Sequence, residues 1–122
     1  MDTPSLEQLR ELADRFGITP DGFGEGERHW DWATDYPVIL RVLAALEAVE
    51  PTVTVQHGHP SAYWVKHQVE HDLAEYVSQG AVILAWLALK RSLQRHPGER
   101  HGAFLAISKR CPIYRRWLFA RR

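Results

Sequence analysis

The chain has 122 residues, of which 45% are hydrophobic and 25% are charged. This composition is typical of a globular protein and excludes disordered, collagen-like and coiled-coil chains, while the length suffices for one core but not for two. The 15 Lys and Arg residues balance the 15 Asp and Glu residues, so net charge alone gives no sign of nucleic-acid binding. We therefore expect a single globular domain over residues 1–122.

The N-terminal part of the chain predicts one helix followed by a long loop. Apolar residues recur at helical spacing over residues 6–16, with Thr3 as the expected N-cap, Pro4 as the first helical residue and Gly17 as the stop. Residues 17–36 are rich in glycine and tryptophan and predict a loop. Loops of this length in small domains are usually functional or mobile.

The middle of the chain predicts a helix and a strand. Residues 37–49 are mostly apolar, which indicates a largely buried helix that begins after a cap at Thr34 or Asp35. Residues 52–56 alternate with β-branched side chains and predict a short strand.

The C-terminal half predicts the remaining elements. Gly80 interrupts the helical pattern, and residues 81–93 are apolar nearly all round, which indicates a central helix. Residues 102–108 predict a second strand that pairs with residues 52–56, and Pro112 opens a last helix. The expected fold is α+β and mostly helical, with four or five helices packed on a short two-stranded antiparallel ribbon.

A polar stripe marks the predicted helix over residues 62–78, which Ser61 caps. A helical wheel places five polar side chains on one side: Tyr63, Lys66, His67, Glu70 and His71. Lys66 and Glu70 are spaced to form an ion pair on a solvated face. Alternatively, Tyr63, Lys66, His67 and Glu70 bind a ligand or partner, and His67 exchanges a proton near neutral pH.

Residues 67–71 also match the H-x-x-E-H pattern of inverted zinc peptidases, in which the glutamate activates water. His57 or His59 would then join His67 and His71 to complete a metal site. Five residues match such a pattern easily by chance, and no further carboxylate ligand follows. We therefore expect no metal and no other cofactor.

The charges are divided unevenly along the chain. Residues 1–50 contain 11 acids and 4 Lys or Arg, residues 51–89 contain 3 and 1, and residues 90–122 contain 1 and 10. The basic C-terminal segment at 90–122 either packs against the acidic half of the molecule or binds phosphates or an acidic partner.

The end of this segment interleaves cations with aromatic residues, as proteins that follow a nucleic-acid backbone do. An ordinary terminal helix with one packed side has the same composition. The candidate binding residues here are Arg110, Arg115, Arg116, Trp117 and Arg121. Cys111 has no assigned histidine partner, and we expect it to be inert.

Several stretches of the sequence resemble a known group of proteins. Residues 61–70, 76–81 and 107–110 are similar to a group of short uncharacterised bacterial proteins, common on mobile elements, with the pattern S-Y-x-x-K-H-x-x-E followed by Y-[VI]-S-N-G-A. This chain departs from the pattern by an extra Ala62 and by Gln79 in place of Asn, which suits a left-handed turn less well. The resemblance implies no activity, and its recurring residues are Tyr63, Lys66, His67, Glu70, Ser78 and Gly80.

The sequence thus favours a small non-enzymatic binding protein, phage- or plasmid-encoded, whose partner is a protein or a nucleic acid. An inhibitor of a host system fits this size class by analogy. The first alternative is a small metal-dependent or acid-base hydrolase centred on His67 and Glu70. The second is a structural homo-oligomer with exposed Trp30 and Trp32 at its interface.

With one cysteine, no signal peptide pattern and no apolar run longer than nine residues, the sequence predicts a cytoplasmic protein that does not enter the membrane.

Overall fold

The structure is a computed structural model and describes residues 3–55 and 58–120. Within these residues it contains five helices and two short antiparallel sheets, so the α+β class is confirmed. The helices are α1 (Leu6–Phe16), α2 (Trp32–Glu47), α3 (Ala62–Leu73), α4 (Gln79–Ala88) and α5 (Pro112–Ala120). The strands are β1 (Ile18–Thr19), β2 (Gly22–Phe23), β3 (Leu93–Arg95) and β4 (Ala103–Leu105).

Helix α4 lies at the centre of the core because it is apolar on every side. Its residues 80–86 are all buried, and α1, α2 and α3 pack around it together with β1 and β2. Trp86 is fully buried, and its indole N–H donates to the carbonyl of Ser92 at 2.7 Å. The sequence-based expectation of a central helix is confirmed, although the helix ends at Ala88 rather than near residue 93.

The cap of α1 differs from the prediction. Ser5, not Thr3, is the N-cap, because its hydroxyl accepts from the Gln8 N–H while the Gln8 side chain accepts from the Ser5 N–H. This reciprocal pair is a capping box. Gly17 ends the helix as expected, in a left-handed conformation with φ 66°.

Residues 17–36 are more ordered than a loop. They contain the β1–β2 hairpin, and α2 begins at Trp32 after an N-cap at Asp31. The expected caps at Thr34 and Asp35 are wrong, since both residues lie inside the first turn and the Asp35 carboxylate accepts from the Asp31 N–H at 2.8 Å. Pro37 lies inside α2 and is not its first residue.

The second strand of the predicted ribbon is confirmed as β4, but it does not pair with the predicted strand over residues 52–56. Strand β4 pairs with β3, with Leu93 opposite Leu105. No strand forms among residues 52–55. This part of the chain instead contacts the residues just after β4, through a bridge between Pro51 and Ile107 and a hydrogen bond from the Thr52 N–H to the Ala106 carbonyl. Residue 56 lies outside the described residues. Residue 93 belongs to the apolar pattern that predicted a helix over residues 81–93, so the sequence did not indicate that the partner strand β3 begins there.

Helix α3 is shorter than predicted. It ends at Leu73, and Ala74 follows in a left-handed conformation with φ 55°. Ser78 then caps α4 by accepting from the Ala81 N–H at 3.1 Å. Gly80 consequently lies inside the first turn of α4 and does not interrupt a helix.

Candidate functional site

The polar side chains of α3 lie close together in the structure, but Lys66 and Glu70 bond to each other and to the backbone of Val77. The Lys66 ammonium lies 3.0 Å from Glu70 Oε1 and 3.0 Å from the Val77 carbonyl. The other oxygen of Glu70 accepts from the Val77 N–H at 3.1 Å. These bonds form a closed clamp, the Lys66–Glu70–Val77 clamp, that ties α3 to the segment before α4.

The environment of Glu70 holds it in the charged form. Burial raises the pKa of this carboxyl, but the Val77 N–H and the Lys66 ammonium lower it more, so the net pKa lies below the usual 4.5. The His67 ring adds a third contact, with Nδ1 at 3.1 Å from Glu70 Oε1. Lys66 is only 8% exposed, so it is not available to a partner.

Tyr63 and His67 form the solvent-facing edge of the stripe. Their rings meet edge to face with centroids 4.7 Å apart, and Tyr63 is 55% exposed. The four predicted residues therefore share one region, with Lys66 and Glu70 in a structural role and Tyr63 and His67 at the surface.

The H-x-x-E-H residues do not assemble a metal site. His71 points to solvent with a 90% exposed side chain, and both oxygens of Glu70 are already hydrogen-bonded. His59 is buried against the ring of Tyr114 instead of joining α3, and His57 lies outside the described residues. Across residues 3–55 and 58–120, no three His, Cys, Asp or Glu residues are placed to hold a metal ion. This geometry does not favour a metal site at the H-x-x-E-H residues.

The start of α4 is locked onto the β1–β2 hairpin. The Gly80 N–H donates to the Pro20 carbonyl at 3.0 Å, and a Cβ at Gly80 would lie 1.8 Å from the Thr19 carbonyl oxygen. Gln79 is the first helical residue, not a left-handed turn, and its amide donates to the carbonyls of Asp21 and His101 at 2.9 and 3.2 Å. The expected left-handed turn before Gly80 is therefore wrong.

A cleft of about 360 Å³ opens beside Tyr63 and Lys66. Its other walls include Asp21, Arg28 and His101, which no sequence pattern singled out. Arg28 binds Asp21 at 3.0 Å and donates to the Tyr76 hydroxyl. The backbone N–H of Arg28 is the main cause of a lowered Asp21 pKa. Arg28, Tyr63 and His101 come from segments far apart in the sequence, so no spacing pattern could have grouped them.

The inner side of α5 is occupied by packing. Ile113 and Tyr114 are buried, and the Trp117 indole N–H donates to the Gly58 carbonyl at 2.8 Å. The Trp117 ring also meets that of Trp64 edge to face at 5.4 Å. Trp117, predicted as a binding residue, thus anchors the helix to the body of the molecule.

The outer side of α5 is a different surface. Arg115, Arg116 and Phe119 are exposed, and Phe119 is 76% exposed. At about 100° per residue, Phe119 lies between the two arginines around the helix. Within the described part of the chain, neither arginine forms an ion pair. We call these three residues the outer face of α5.

The cations near this face are only partly neutralised. Arg110 forms a 2.7 Å ion pair with Glu50, in which the side chains are 84% and 44% exposed. Lys109 is exposed, Cys111 is buried at the start of α5, and Arg121 lies outside the described residues.

Trp30 and Trp32 are not the exposed interface anchors that the oligomer alternative assumed. Their rings stack with centroids 5.0 Å apart, and both are half-buried against the core. The Trp30 indole N–H donates to the Ile18 carbonyl at 2.9 Å.

No family model, curated protein or solved structure matches the chain. In the described residues, no helix combines the length and the apolar character that a membrane span requires.

Proposed function

We propose that this protein binds single-stranded nucleic acid through the outer face of α5. The observation that carries the proposal is a phenylalanine that is 76% exposed on a helix and flanked by two exposed arginines. A flat ring offers a stacking surface to an unpaired base, and the neighbouring guanidinium groups bind the phosphates on either side.

The composition of the outer face favours nucleic acid over a protein partner. The core of a protein interface is generally depleted of charge and continuous over several hundred Å². On α5 the large apolar side chains with substantial exposure are Phe119 and Leu118, the latter at 44%. A single aromatic ring among cations suits a strand of bases and phosphates better than it suits a protein core.

Lys109 and Arg110 extend the positive charge beyond the N-terminal end of α5. The Arg110–Glu50 ion pair is exposed, and exposed pairs contribute only about 0–1 kcal/mol. A phosphate group can therefore compete for Arg110. Four cations of this segment, Lys109, Arg110, Arg115 and Arg116, are exposed.

Helix α5 also presents its outer face in a fixed orientation. Tyr114 and Trp117 hold the inner side against His59, Gly58 and Trp64. Because the surface is organised before binding, the partner does not have to order it, and less conformational entropy is lost on association. We place this activity in the cytoplasm, where a lone thiol such as that of Cys111 stays reduced.

Fluorescence anisotropy with labelled 12-nucleotide DNA and RNA strands tests this proposal. We expect Phe119→Ala to weaken binding roughly tenfold, since stacking on one base contributes about 1–3 kcal/mol. Phe119→Leu should weaken it equally, because leucine keeps the apolar contact but not the flat ring, whereas Phe119→Trp should retain affinity. A duplex of the same sequence should bind less tightly than the single strand.

Matched arginine variants serve as the control. Arg116→Ala should reduce affinity, while Arg10→Ala, an exposed arginine on α1, should leave it unchanged. The proposal fails if no strand binds, if Phe119→Leu behaves as wild type, or if both arginine variants lose the same affinity. Retained strand binding in Phe119→Leu would show that no base stacks on the ring.

A further inference from the structure

A second concave surface lies between α1 and the C-terminal end of α4. It is a groove of about 690 Å³, within the size range of small-molecule sites. Its floor and walls are mainly apolar and include Leu9, Leu12, Phe16, Leu87 and Ala88. Phe16 is 43% exposed, so part of this apolar surface faces solvent.

The charged residues that line the groove, among those the structure describes, all have one sign. Arg15, Lys90 and Arg91 line it, and no Asp or Glu is among the described residues that do so. This is unexpected from the local composition, because residues 1–50 contain 11 acids and only 4 Lys or Arg. The groove therefore combines an apolar interior with a positive rim.

The three cations differ in their availability. The Arg91 guanidinium donates to the carbonyls of Leu46 and Glu47 at 2.6 and 3.3 Å and stacks on Trp86, so it is committed to the fold. Arg15 lies over the ring of Phe16 at 5.4 Å, and Lys90 is exposed.

Lys90 also occupies an unusual backbone position. Its φ is 60°, in the left-handed region, and it follows the last residues of α4. Glycine adopts this conformation at helix ends without strain, whereas lysine does not. A lysine here adds a cation to the groove at the expense of local stability.

We propose that this groove binds a single-chain amphiphile with an anionic head. The apolar chain lies against Leu12, Phe16 and Leu87, and a carboxylate is held by Arg15 and Lys90. Charge complementarity selects an anionic head over a neutral one, and the volume of the open groove suits one small molecule. The proposal is independent of nucleic-acid binding by α5.

Isothermal titration calorimetry with dodecanoate below its critical micelle concentration tests the proposal, with dodecanol as the uncharged ligand of equal chain length. We expect saturable binding of one dodecanoate per chain and about tenfold weaker binding of dodecanol, a difference of about 1.4 kcal/mol. Arg15→Gln should weaken dodecanoate binding, and Arg10→Gln, on the same helix but outside the groove, should not.

Lys90→Gly separates a role in binding from a role in folding. Glycine relieves the left-handed strain, so the melting temperature should stay the same or rise while dodecanoate affinity falls. The proposal is overturned if dodecanoate does not saturate, if dodecanol binds as tightly, or if Lys90→Gly binds as wild type. Tighter binding of an acidic amphipathic peptide than of dodecanoate would also overturn it.

Discussion

Lys66 shows how a nearly buried charge is accommodated in this protein. An ammonium group that is 8% exposed is costly unless it is paired and hydrogen-bonded. Glu70 and the Val77 carbonyl supply these bonds, and the Tyr76 ring lies 4.9 Å from the ammonium. The clamp therefore explains why lysine and glutamate one helical turn apart do not form a free binding surface.

Replacing Glu70 tests the clamp. Glu70→Gln leaves Lys66 buried without its counter-charge, so we expect a loss of about 1–3 kcal/mol in the free energy of unfolding. Chemical denaturation at pH 7 measures this loss. Asp72→Asn, a neighbouring acid with a 63% exposed side chain, is the control and should change stability by less than about 0.5 kcal/mol.

The lowered pKa of Glu70 also predicts a pH dependence. A carboxyl whose pKa is lower in the folded state stabilises the fold above its unfolded value of about 4.5 and loses this effect as pH falls through the folded pKa. The stability difference between wild type and Glu70→Gln should therefore shrink as the pH falls below 4.5. A difference that stayed constant down to pH 2 would show that the clamp does not depend on the charge of Glu70.

At the scale of elements, the contact between α4 and the β1–β2 hairpin requires a glycine. Because any Cβ at Gly80 would lie 1.8 Å from the Thr19 carbonyl oxygen, Gly80→Ala must push the hairpin away. We expect a loss of about 1–3 kcal/mol, typical of overpacking. Gly98→Ala is the control, since its Cβ would come no closer than 3.3 Å, to a His96 side-chain atom. Equal melting temperatures for the two variants would contradict the assigned close approach.

The helices were predictable from local signals, whereas their ends were less so. The stop at Gly17 and the start of α5 at Pro112 follow directly from residue type. The end of α3 could not be predicted from residue type, because Ala74 takes a left-handed conformation that alanine rarely adopts. That turn is held in place by the clamp between Glu70 and Val77, a contact between separate segments.

Strand pairing was the least predictable feature of the fold. The segment over residues 52–56 has the better β-pattern, yet β4 pairs with β3, which has only 3 residues. Pairing depends on where the chain reverses, and here the left-handed Lys90 ends α4 and turns the chain toward β4. No local pattern in the sequence carries this information.

The candidate sites were likewise only partly predictable from the sequence. Helical spacing correctly grouped Tyr63, Lys66, His67 and Glu70, but it could not show that Lys66 and Glu70 are used internally. The cleft beside them depends on Arg28 and His101, which only the tertiary fold brings together.

At the scale of the whole molecule, the uneven charge distribution has two outcomes. Some cations of the C-terminal segment are held by the acidic half, as Arg110 is by Glu50, and burial lowers the pKa of Arg91 against the end of α2. The cations of the outer face of α5 have no such partner in the described residues. A net charge of zero therefore coexists with a local basic surface.

This layout predicts a salt dependence of binding. If Lys109, Arg110, Arg115 and Arg116 each contact a phosphate, the slope of log K against log salt should be about −3, at about −0.7 per contact. Arg116→Ala should make the slope less negative by about 0.7. Anisotropy titrations at salt concentrations from about 50 to about 300 mM measure this slope directly. Affinity independent of salt would exclude a phosphate-contacting surface.

We propose that a nucleic-acid strand binds at the outer face of α5. Two-dimensional ¹H–¹⁵N NMR of the full chain, titrated with an unlabelled 12-nucleotide strand, tests this most directly. We expect progressive shifts of the amide signals of residues 109–111 and 113–119 and none in α1. Shifts confined to other regions, such as the cleft beside Tyr63, or no shifts at saturating strand, would contradict it.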